Sequence, residues 1–197
     1  RIAAGLLAIR ENSEHMEQVT AHQIPLIDLV CVNLYPFVQT TRKPGVTFEE
    51  VIENIDIGGP SMLRAASKNF QDVAVVTTPD DYARVLDALK RGNGVLDRGL
   101  LFNLARKAFL CTARYDAQIS QYLSRIGEAD ALFPPRMFMD FEKVADLRYG
   151  ENPHQQAAFY QWGGQKPHGI AAARQTQGKE HSSNNIVDLE AAWNLIR

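Results

Sequence analysis

The stretch Asp56-Ile57-Gly58-Gly59-Pro60-Ser61-Met62-Leu63-Arg64-Ala65-Ala66-Ser67-Lys68-Asn69 decides the fold, because it is a turn that runs into a helix. A Gly-Gly pair interrupts the helix before it, and Pro60 suits the first helical position, where its missing N–H costs nothing. We predict that Arg64, Ser67 and Lys68, at i, i+3 and i+4, share one helix face.

Two apolar, β-branched runs flank this helix and read as buried strands, at residues 27–34 and 73–78. Alternation of strands and helices predicts a parallel sheet covered by helices, an α/β fold. A capping box at Thr47–Glu50 starts a short helix. The other predicted elements are helices at 3–22, 79–89 and 100–126 and a polar loop at 38–46.

The composition limits the classes of protein to which this chain can belong. The chain has 197 residues, 45% of them hydrophobic, enough for one good-sized core or one domain and part of a second. The net charge of −2 argues against a nucleic-acid partner, and no apolar stretch reaches the length of a membrane span. Cys31 and Cys111 lie in apolar segments and are predicted to be buried, reduced thiols. The dispersed histidines predict no metal site.

The character of the sequence changes after Gly127, where a Pro-containing connector leads into a part rich in Gln, Gly and Asn. We therefore place one domain at residues 1–140 and a second at 141–197. The chain opens with Arg1 rather than Met, and its last predicted helix, 189–197, stops abruptly. We expect a fragment whose first domain is incomplete at its N-terminus.

The side chains and backbone groups that could act on a ligand lie at one edge of the predicted sheet. Ligands of open α/β sheets bind beyond the carboxyl ends of the strands, where Asn33 and Tyr35 stand. The Gly58-Gly59 turn exposes backbone N–H groups and directs the positive end of a helix dipole at a ligand. With Asp56 and Lys68, these groups suggest an enzyme that acts on a small phosphorylated substrate.

Each block alone also has an ordinary structural interpretation. Tyr35-Pro36 is typical of a strand end, Gly58-Gly59-Pro60 of a turn, and Arg64 with Lys68 of a solvated helix face. Asp56 is typical of a helix cap. A further block, 147–155, contains Arg148 and Tyr149 and is either a phosphate- or ribose-binding loop or a tight turn. Their ordered occurrence is more specific than any single block.

Taken together, the ordered blocks resemble the AICAR transformylase/IMP cyclohydrolase family. The resembling blocks are Asn33-Leu-Tyr-Pro-Phe37, Asp56-Ile-Gly-Gly-Pro60, Arg64-Ala-Ala-Ser-Lys-Asn69 and Arg148-Tyr-Gly-Glu-Asn-Pro-His-Gln155. A last block, Gln177–Asn185, has His181 and Ser183 where the family usually has Leu and Tyr. The resemblance runs along nearly the whole chain.

The resemblance implies a methylglyoxal-synthase-like cyclohydrolase domain followed by the start of a transformylase α/β domain. The full enzyme of this family formylates AICAR from 10-formyltetrahydrofolate and closes the ring of formyl-AICAR to give IMP. The cyclohydrolase step then needs no cofactor. The resemblance also implies a homodimer in the cytosol, with no nucleic-acid or membrane partner.

Carried over by motif, the resemblance implies catalytic roles for Tyr35, Asp56 and Lys68. Lys68, Tyr35 and the turn N–H groups would stabilise charge on the formyl oxygen, and Asp56 would accept a proton from, or orient, the attacking amide. The substrate-binding residues implied at this site are Asn33, Gly58, Gly59, Arg64 and Ser67. In the second domain, Arg148 and Tyr149 would contact the AICAR nucleotide.

The family's phosphate loop and its Lys-Thr-Leu-His-Pro block would precede residue 1, and the transformylase Lys-His pair and folate region would follow residue 197. We therefore expect no formyl transfer from this chain alone and weakened ring closure. Two other hypotheses stay open: a non-catalytic nucleotide-binding or regulatory α/β module, and an assembly remnant unable to close its sheet.

Overall fold

The computed structural model describes residues 1–127, 133, 136–163 and 166–196. The chain divides into two compact units, Arg1–Pro135 and Arg136–Arg197. The helices and strands of the first unit are α1 (Ile2–Leu7), α2 (Ser13–Ala21), β1 (Leu29–Cys31), α3 (Phe37–Thr41), α4 (Phe48–Glu53), α5 (Gly58–Lys68), β2 (Ala74–Val76), α6 (Tyr82–Arg91) and α7 (Arg98–Gly127). Those of the second unit are β3 (Phe141–Leu147), β4 (Ala157–Trp162) and α8 (Ser183–Ile196).

The sheet of the first unit confirms the predicted parallel pairing. β1 and β2 run parallel, with Leu29 opposite Ala74 and Cys31 opposite Val76. All three residues of β2 are buried. β1 alternates between exposed and buried positions, so that one of its faces is uncovered within this chain. Both strands are shorter than predicted.

The core of the first unit lies where α5 and α7 cover the sheet. Leu63 and Ala66 of α5 and Ala108 of α7 are fully buried, and they pack with Val75 of β2 and Leu104 of α7. Apolar residues spaced three or four apart produce such a buried stripe on a helix. The single long helix predicted at 100–126 is confirmed as α7.

The predicted N-terminal helix at 3–22 is wrong, because the structure has two helices there, α1 and α2. One long-range and one local hydrogen bond favour the break between the two helices. The backbone N–H of Arg10 donates to Asp72 Oδ2 over 3.0 Å, and the Asn12 side chain caps α2 by accepting from the N–H of His15 over 3.2 Å. An N-cap of this type begins a new helix.

The predicted polar loop at 38–46 is also wrong at its start, where α3 forms. Phe37 is 2% exposed and packs edge-on against Tyr115 and Tyr122, with ring centroids 6.1 and 5.7 Å away. Burial of this ring holds the short segment in a helical turn that its polar residues do not indicate. Tertiary packing overrides local preference here.

The first residues of α4 and α5 are determined by interactions between neighbouring residues. The predicted capping box of α4 is confirmed: Glu50 N–H donates to Thr47 Oγ1 over 3.2 Å, and Thr47 N–H donates to Glu50 Oε2 over 2.8 Å. α5 begins at Gly58, so Pro60 occupies the third helical position rather than the first. The third position still lies in the first turn, where an N–H has no helical partner.

The cysteine prediction is wrong in its burial. Cys31 is exposed, because it lies on the uncovered face of β1, and Cys111 is only half-buried on α7. Both thiols are free.

The second unit is built on an antiparallel hairpin. β3 pairs with β4 from Phe141–Trp162 to Leu147–Ala157, with a shift in register between Lys143 and Ala145. α8 completes the described part of this unit. No described helix of the chain is both long enough and apolar enough to cross a membrane.

Candidate active site

Asp56 is held in place at the entry to α5 by three hydrogen bonds. Its Oδ1 accepts from the N–H of Gly59 over 2.8 Å, and its Oδ2 accepts from the N–H of Tyr35 over 3.4 Å. Its own N–H donates to the hydroxyl oxygen of Tyr115 over 2.8 Å. The carboxylate therefore links the segment after β1 to the first turn of α5, and α7 fixes its backbone.

Gly59 is required by the close approach of this carboxylate. A Cβ at position 59 would lie 2.5 Å from Asp56 Oδ2 and 2.8 Å from Leu34 Cδ2. Both distances are shorter than a carbon contact allows, so a side chain here would displace Asp56. A Cβ on Gly58 would meet nothing within 4 Å, so the two glycines have different reasons to be present.

The first turn of α5 offers a hydrogen-bond donor beside the Asp56 carboxylate. Gly58 is exposed, and its N–H donates to no residue that the structure describes. The N-terminal end of an 11-residue helix also carries partial positive charge. A carboxylate and a free N–H therefore stand side by side, a pairing suited to accepting a proton and stabilising an anion.

Asn33 and Tyr35 lie in the segment after β1, and they have different hydrogen-bond partners. The Tyr35 side chain is 56% exposed, and its backbone N–H binds Asp56. The Asn33 amide is within hydrogen-bond distance of the Tyr82 hydroxyl, at 3.2 Å from Nδ2 and 3.4 Å from Oδ1. A hydrogen bond with Cys31 raises the pKa of Tyr82, and the Asn33 contact lowers it to a lesser degree.

The predicted common face of Arg64, Ser67 and Lys68 is wrong for Ser67. Ser67 is 2% exposed, and its hydroxyl donates to the Leu63 carbonyl over 2.7 Å. Leu63, four residues earlier, is on the same buried face. Arg64 is exposed, and its guanidinium lies over the Phe109 ring at 5.7 Å from the centroid.

Lys68 lies at the opposite end of α5 from Asp56. It is nine positions after Gly59, which corresponds to about 14 Å along the helix axis at 1.5 Å per residue. Its side chain lines a cavity formed with α1 and α2. Within one chain, the structure brings Asp56, Gly58, Gly59 and the Tyr35 backbone together, but it does not bring Lys68 to them.

Tyr115 is the residue that sequence reasoning missed. It is buried on α7, packs against Phe37 and accepts the Asp56 N–H. Burial raises the pKa of its hydroxyl, and the hydrogen bond from Asp56 lowers it to a lesser degree. A separation of 59 residues leaves no local signal for this contact.

In the second unit, the structure joins two of the blocks singled out in the sequence. Arg148 N–H donates to the His181 carbonyl over 2.8 Å, and Ser183 N–H donates to the Tyr149 carbonyl over 3.1 Å. The Arg148 guanidinium lies 4.9 Å from the Tyr149 ring centroid, and its Nη2 is 3.3 Å from the Tyr149 hydroxyl. The predicted ligand-contacting pair is therefore preorganised next to the start of α8.

The described residues contain no group of three or more His, Cys, Asp or Glu side chains placed to hold a metal ion.

The chain matches two known family models. One, described as the AICARFT/IMPCHase bienzyme, matches residues 66–197, and the other, an MGS-like domain, matches residues 5–61. The MGS-like match confirms the predicted methylglyoxal-synthase-like α/β fold for the first part, and the bienzyme match confirms the start of a second domain. The Asp56 turn lies in the range of the MGS-like match, and Lys68 lies in that of the bienzyme match.

Individual similar proteins agree with these family matches. The chain is 50% identical over 198 residues to the bifunctional purine biosynthesis protein PurH of Acidithiobacillus ferrooxidans, and 50% identical over 200 residues to that of Magnetococcus marinus. In both cases 100% of this chain is covered, and it spans 38% of the relative's length. The crystal structure of ForH is similar with a TM-score of 0.54 and 38% identity over 60% of each chain.

Proposed function

Because this chain belongs to the AICARFT/IMPCHase bienzyme family, we propose that it forms part of an enzyme of purine nucleotide biosynthesis that closes the ring of formyl-AICAR to give IMP. The observation that carries the proposal is the Asp56 carboxylate, held by hydrogen bonds beside the free N–H of Gly58 at the start of α5.

Ring closure joins the carboxamide nitrogen of the substrate to its formyl carbon. As that bond forms, the amide nitrogen loses a proton and the formyl oxygen gains negative charge. Asp56 is the group placed to accept the proton or orient the amide. The Gly58 N–H, the positive end of α5 and the Tyr35 hydroxyl stabilise the charge on oxygen. The oxygen takes up the proton removed from the carboxamide, and it then leaves as water together with the proton of the formamide nitrogen, which completes the purine ring.

The other residues implied at this site have supporting or more distant roles in the proposal. Gly59 gives the space for the Asp56 carboxylate, and Asn33 and Arg64 shape the surroundings. Ser67 is buried, so its contribution is to the packing of α5. Lys68 is at the opposite end of α5 from Asp56. Its role is therefore the attraction of an anionic part of the substrate.

The test is an assay of formyl-AICAR cyclisation with the natural polypeptide that contains this chain. Asp56→Asn keeps an oxygen for the Gly59 N–H but removes the charge, and we expect kcat to fall by about 100-fold or more. Glu49→Gln, an exposed carboxylate in the first turn of α4, is the control and should leave kcat unchanged. Normal cyclisation by Asp56→Asn would overturn the proposal. Tight IMP binding by a wild-type protein without turnover would instead favour the non-catalytic nucleotide-binding module.

The second unit extends the proposal to formyl transfer. Arg148 and Tyr149, joined to the start of α8, are proposed to contact the AICAR nucleotide in the complete enzyme. The cosubstrate of that step is 10-formyltetrahydrofolate, while ring closure uses no cofactor. We further propose a cytosolic homodimer that acts on small nucleotides and not on nucleic acid or membranes. Arg148→Ala should raise the KM for AICAR in the natural polypeptide.

A further inference from the structure

Tyr82, the first residue of α6, contacts a residue that the proposed function places at the ring-closing site. Its hydroxyl oxygen is 3.2 Å from Asn33 Nδ2 and 3.4 Å from Asn33 Oδ1, across a separation of 49 residues. Asn33 follows β1 and Tyr82 follows β2, so the contact lies at the edge of the parallel sheet where the strands end and where ligands of such sheets bind.

The backbone brings Asn33 close to the Asp56 turn and leaves its side chain accessible. From residue 29 to residue 35 the odd positions are exposed, whereas the even positions are buried or pack against the core. This alternation places Asn33 and Tyr35 on the same side of the extended segment. The Tyr35 N–H donates to Asp56 Oδ2, and two residues of chain span at most about 7 Å. Asn33 is therefore within reach of a substrate bound beside Asp56.

The Tyr82 hydroxyl binds the Asn33 amide on one side only. At the shorter of the two distances an Asn33 N–H donates to the Tyr82 oxygen. The rest of the amide makes no hydrogen bond with any described residue other than Tyr82, so an N–H and an oxygen lone pair remain for a ligand. A hydrogen bond with Cys31 raises the pKa of Tyr82, so the phenol keeps its proton at neutral pH.

We propose that Tyr82 is a positioning residue of the ring-closing site, whose hydroxyl holds the Asn33 amide in the orientation that binds the substrate. The carboxamide of formyl-AICAR offers a donor and an acceptor that complement those of Asn33. An amide that is already oriented loses less freedom when the substrate binds. This inference rests on the proposed function, since it requires the substrate to lie beside Asn33, but Tyr82 acts through Asn33 and not on the reacting atoms.

The test measures formyl-AICAR cyclisation by the natural polypeptide that contains this chain. Tyr82→Phe removes only the hydroxyl, and we expect KM to rise about fivefold while kcat changes by less than about twofold, because Asp56 is untouched. Asn33→Ala should raise KM at least as much. Tyr160→Phe is the matched control, since Tyr160 is 51% exposed and Tyr82 42% exposed, and it should leave KM unchanged. The urea midpoint of Tyr82→Phe should match the wild type, because the lost contact is exposed.

A double variant shows whether Tyr82 acts through Asn33. Tyr82→Phe combined with Asn33→Ala should have the KM of Asn33→Ala alone, because no amide is left for the hydroxyl to hold. An unchanged KM in Tyr82→Phe, independent effects in the double variant, or a KM rise accompanied by a lower urea midpoint would each overturn the positioning role. Failure of the ring-closing function is detected separately, by normal kcat in Asp56→Asn. A large loss of kcat in Asp56→Asn with unchanged KM in Tyr82→Phe would remove only the role given to Tyr82.

Discussion

The hydroxyl oxygen of Tyr115 lies 2.8 Å from the backbone nitrogen of Asp56, and this hydrogen bond joins α7 to the turn that begins α5. Because Asp56 also accepts the N–H groups of Gly59 and Tyr35, its position depends on three separate segments of the chain. The carboxylate proposed to act in ring closure is therefore supported from the core by a buried tyrosine of α7.

Replacement of Tyr115 by Phe should lower the free energy of unfolding by about 1–2 kcal/mol, because the Asp56 N–H loses its acceptor while the ring still packs against Phe37. Urea denaturation measures this loss. Tyr122→Phe is the control, since its ring also contacts Phe37 but its hydroxyl makes no hydrogen bond among the described contacts. Equal losses in both variants would contradict the role given to the Tyr115 hydroxyl.

The two glycines at the start of α5 should respond in opposite directions to alanine. Gly59→Ala pushes a Cβ into Asp56 and Leu34, so we expect the free energy of unfolding to fall by about 1–3 kcal/mol. Gly58→Ala has open space and should raise that free energy by about 0.4–1 kcal/mol, because alanine restricts the unfolded chain. Thermal or urea unfolding of the two variants measures both changes in the free energy of unfolding. A stabilised Gly59→Ala would show that the carboxylate is not held as described.

Alkaline pH should destabilise the first unit through Tyr115. Burial raises the pKa of this hydroxyl in the folded chain above the unfolded value of about 10. Its contribution to stability is therefore fully present below pH about 10 and is lost as the pH rises through the folded pKa. Urea midpoints measured from neutral to alkaline pH should fall less steeply for Tyr115→Phe than for the wild type. Tyr160→Phe, on the exposed part of β4, should keep the wild-type slope.

Loss of Lys107 should leave a buried charge without its partner. Its ammonium contacts both oxygens of Asp81, at 2.7 and 2.8 Å, and the Asp81 side chain is only 5% exposed. We expect Lys107→Met to lower the free energy of unfolding by about 1–3 kcal/mol, less than for a fully buried pair because the lysine is partly solvated. In the double variant Lys107→Met with Asp81→Asn, part of this loss should be recovered. Additive losses would indicate that the two groups do not interact.

The two cysteines should react at different rates with a thiol reagent. Cys31 is exposed, whereas Cys111 is half-buried and burial raises the pKa of its thiol, which leaves less thiolate at neutral pH. Mass spectrometry after brief alkylation should find the label on Cys31 first. In Cys31→Ser, the rapid phase should disappear. Faster labelling of Cys111 would mean that the exposed face of β1 is covered in solution.

Local chemistry explains the part of the fold that was predictable. The Thr47–Glu50 capping box, the start of α5 after Asp56 and the long apolar pattern of α7 each depend on residues within one or two turns. The formation of α3 was not predictable in this way, and the division of the N-terminal helix was predictable only in part, from the local Asn12 cap of α2. The hydrogen bond from Arg10 to Asp72 and the ring contact of Phe37 with Tyr115 form only when distant segments of the chain pack together.

The candidate site was likewise predictable in part from local sequence patterns. The types of its residues and their order, from Asn33 to Tyr149, were readable as a family resemblance, and the family match supports that identification. Ser67 was misplaced, because an i, i+3, i+4 pattern groups residues without saying which side of the helix the core covers. Its partner Leu63, four residues away, was the available sign that Ser67 faces inward.

By itself, the amino-acid sequence determined the two parallel strands and the main helices of the first unit, the family and the set of polar residues, because turns, caps and helical periodicity act over a few residues. Only the tertiary structure decided that Tyr115 holds Asp56 and that Asp56 and Lys68 lie at opposite ends of α5. These relationships arise when distant segments bury a common core. The helix that separates the two charges is rigid, so its length sets which groups can meet one substrate.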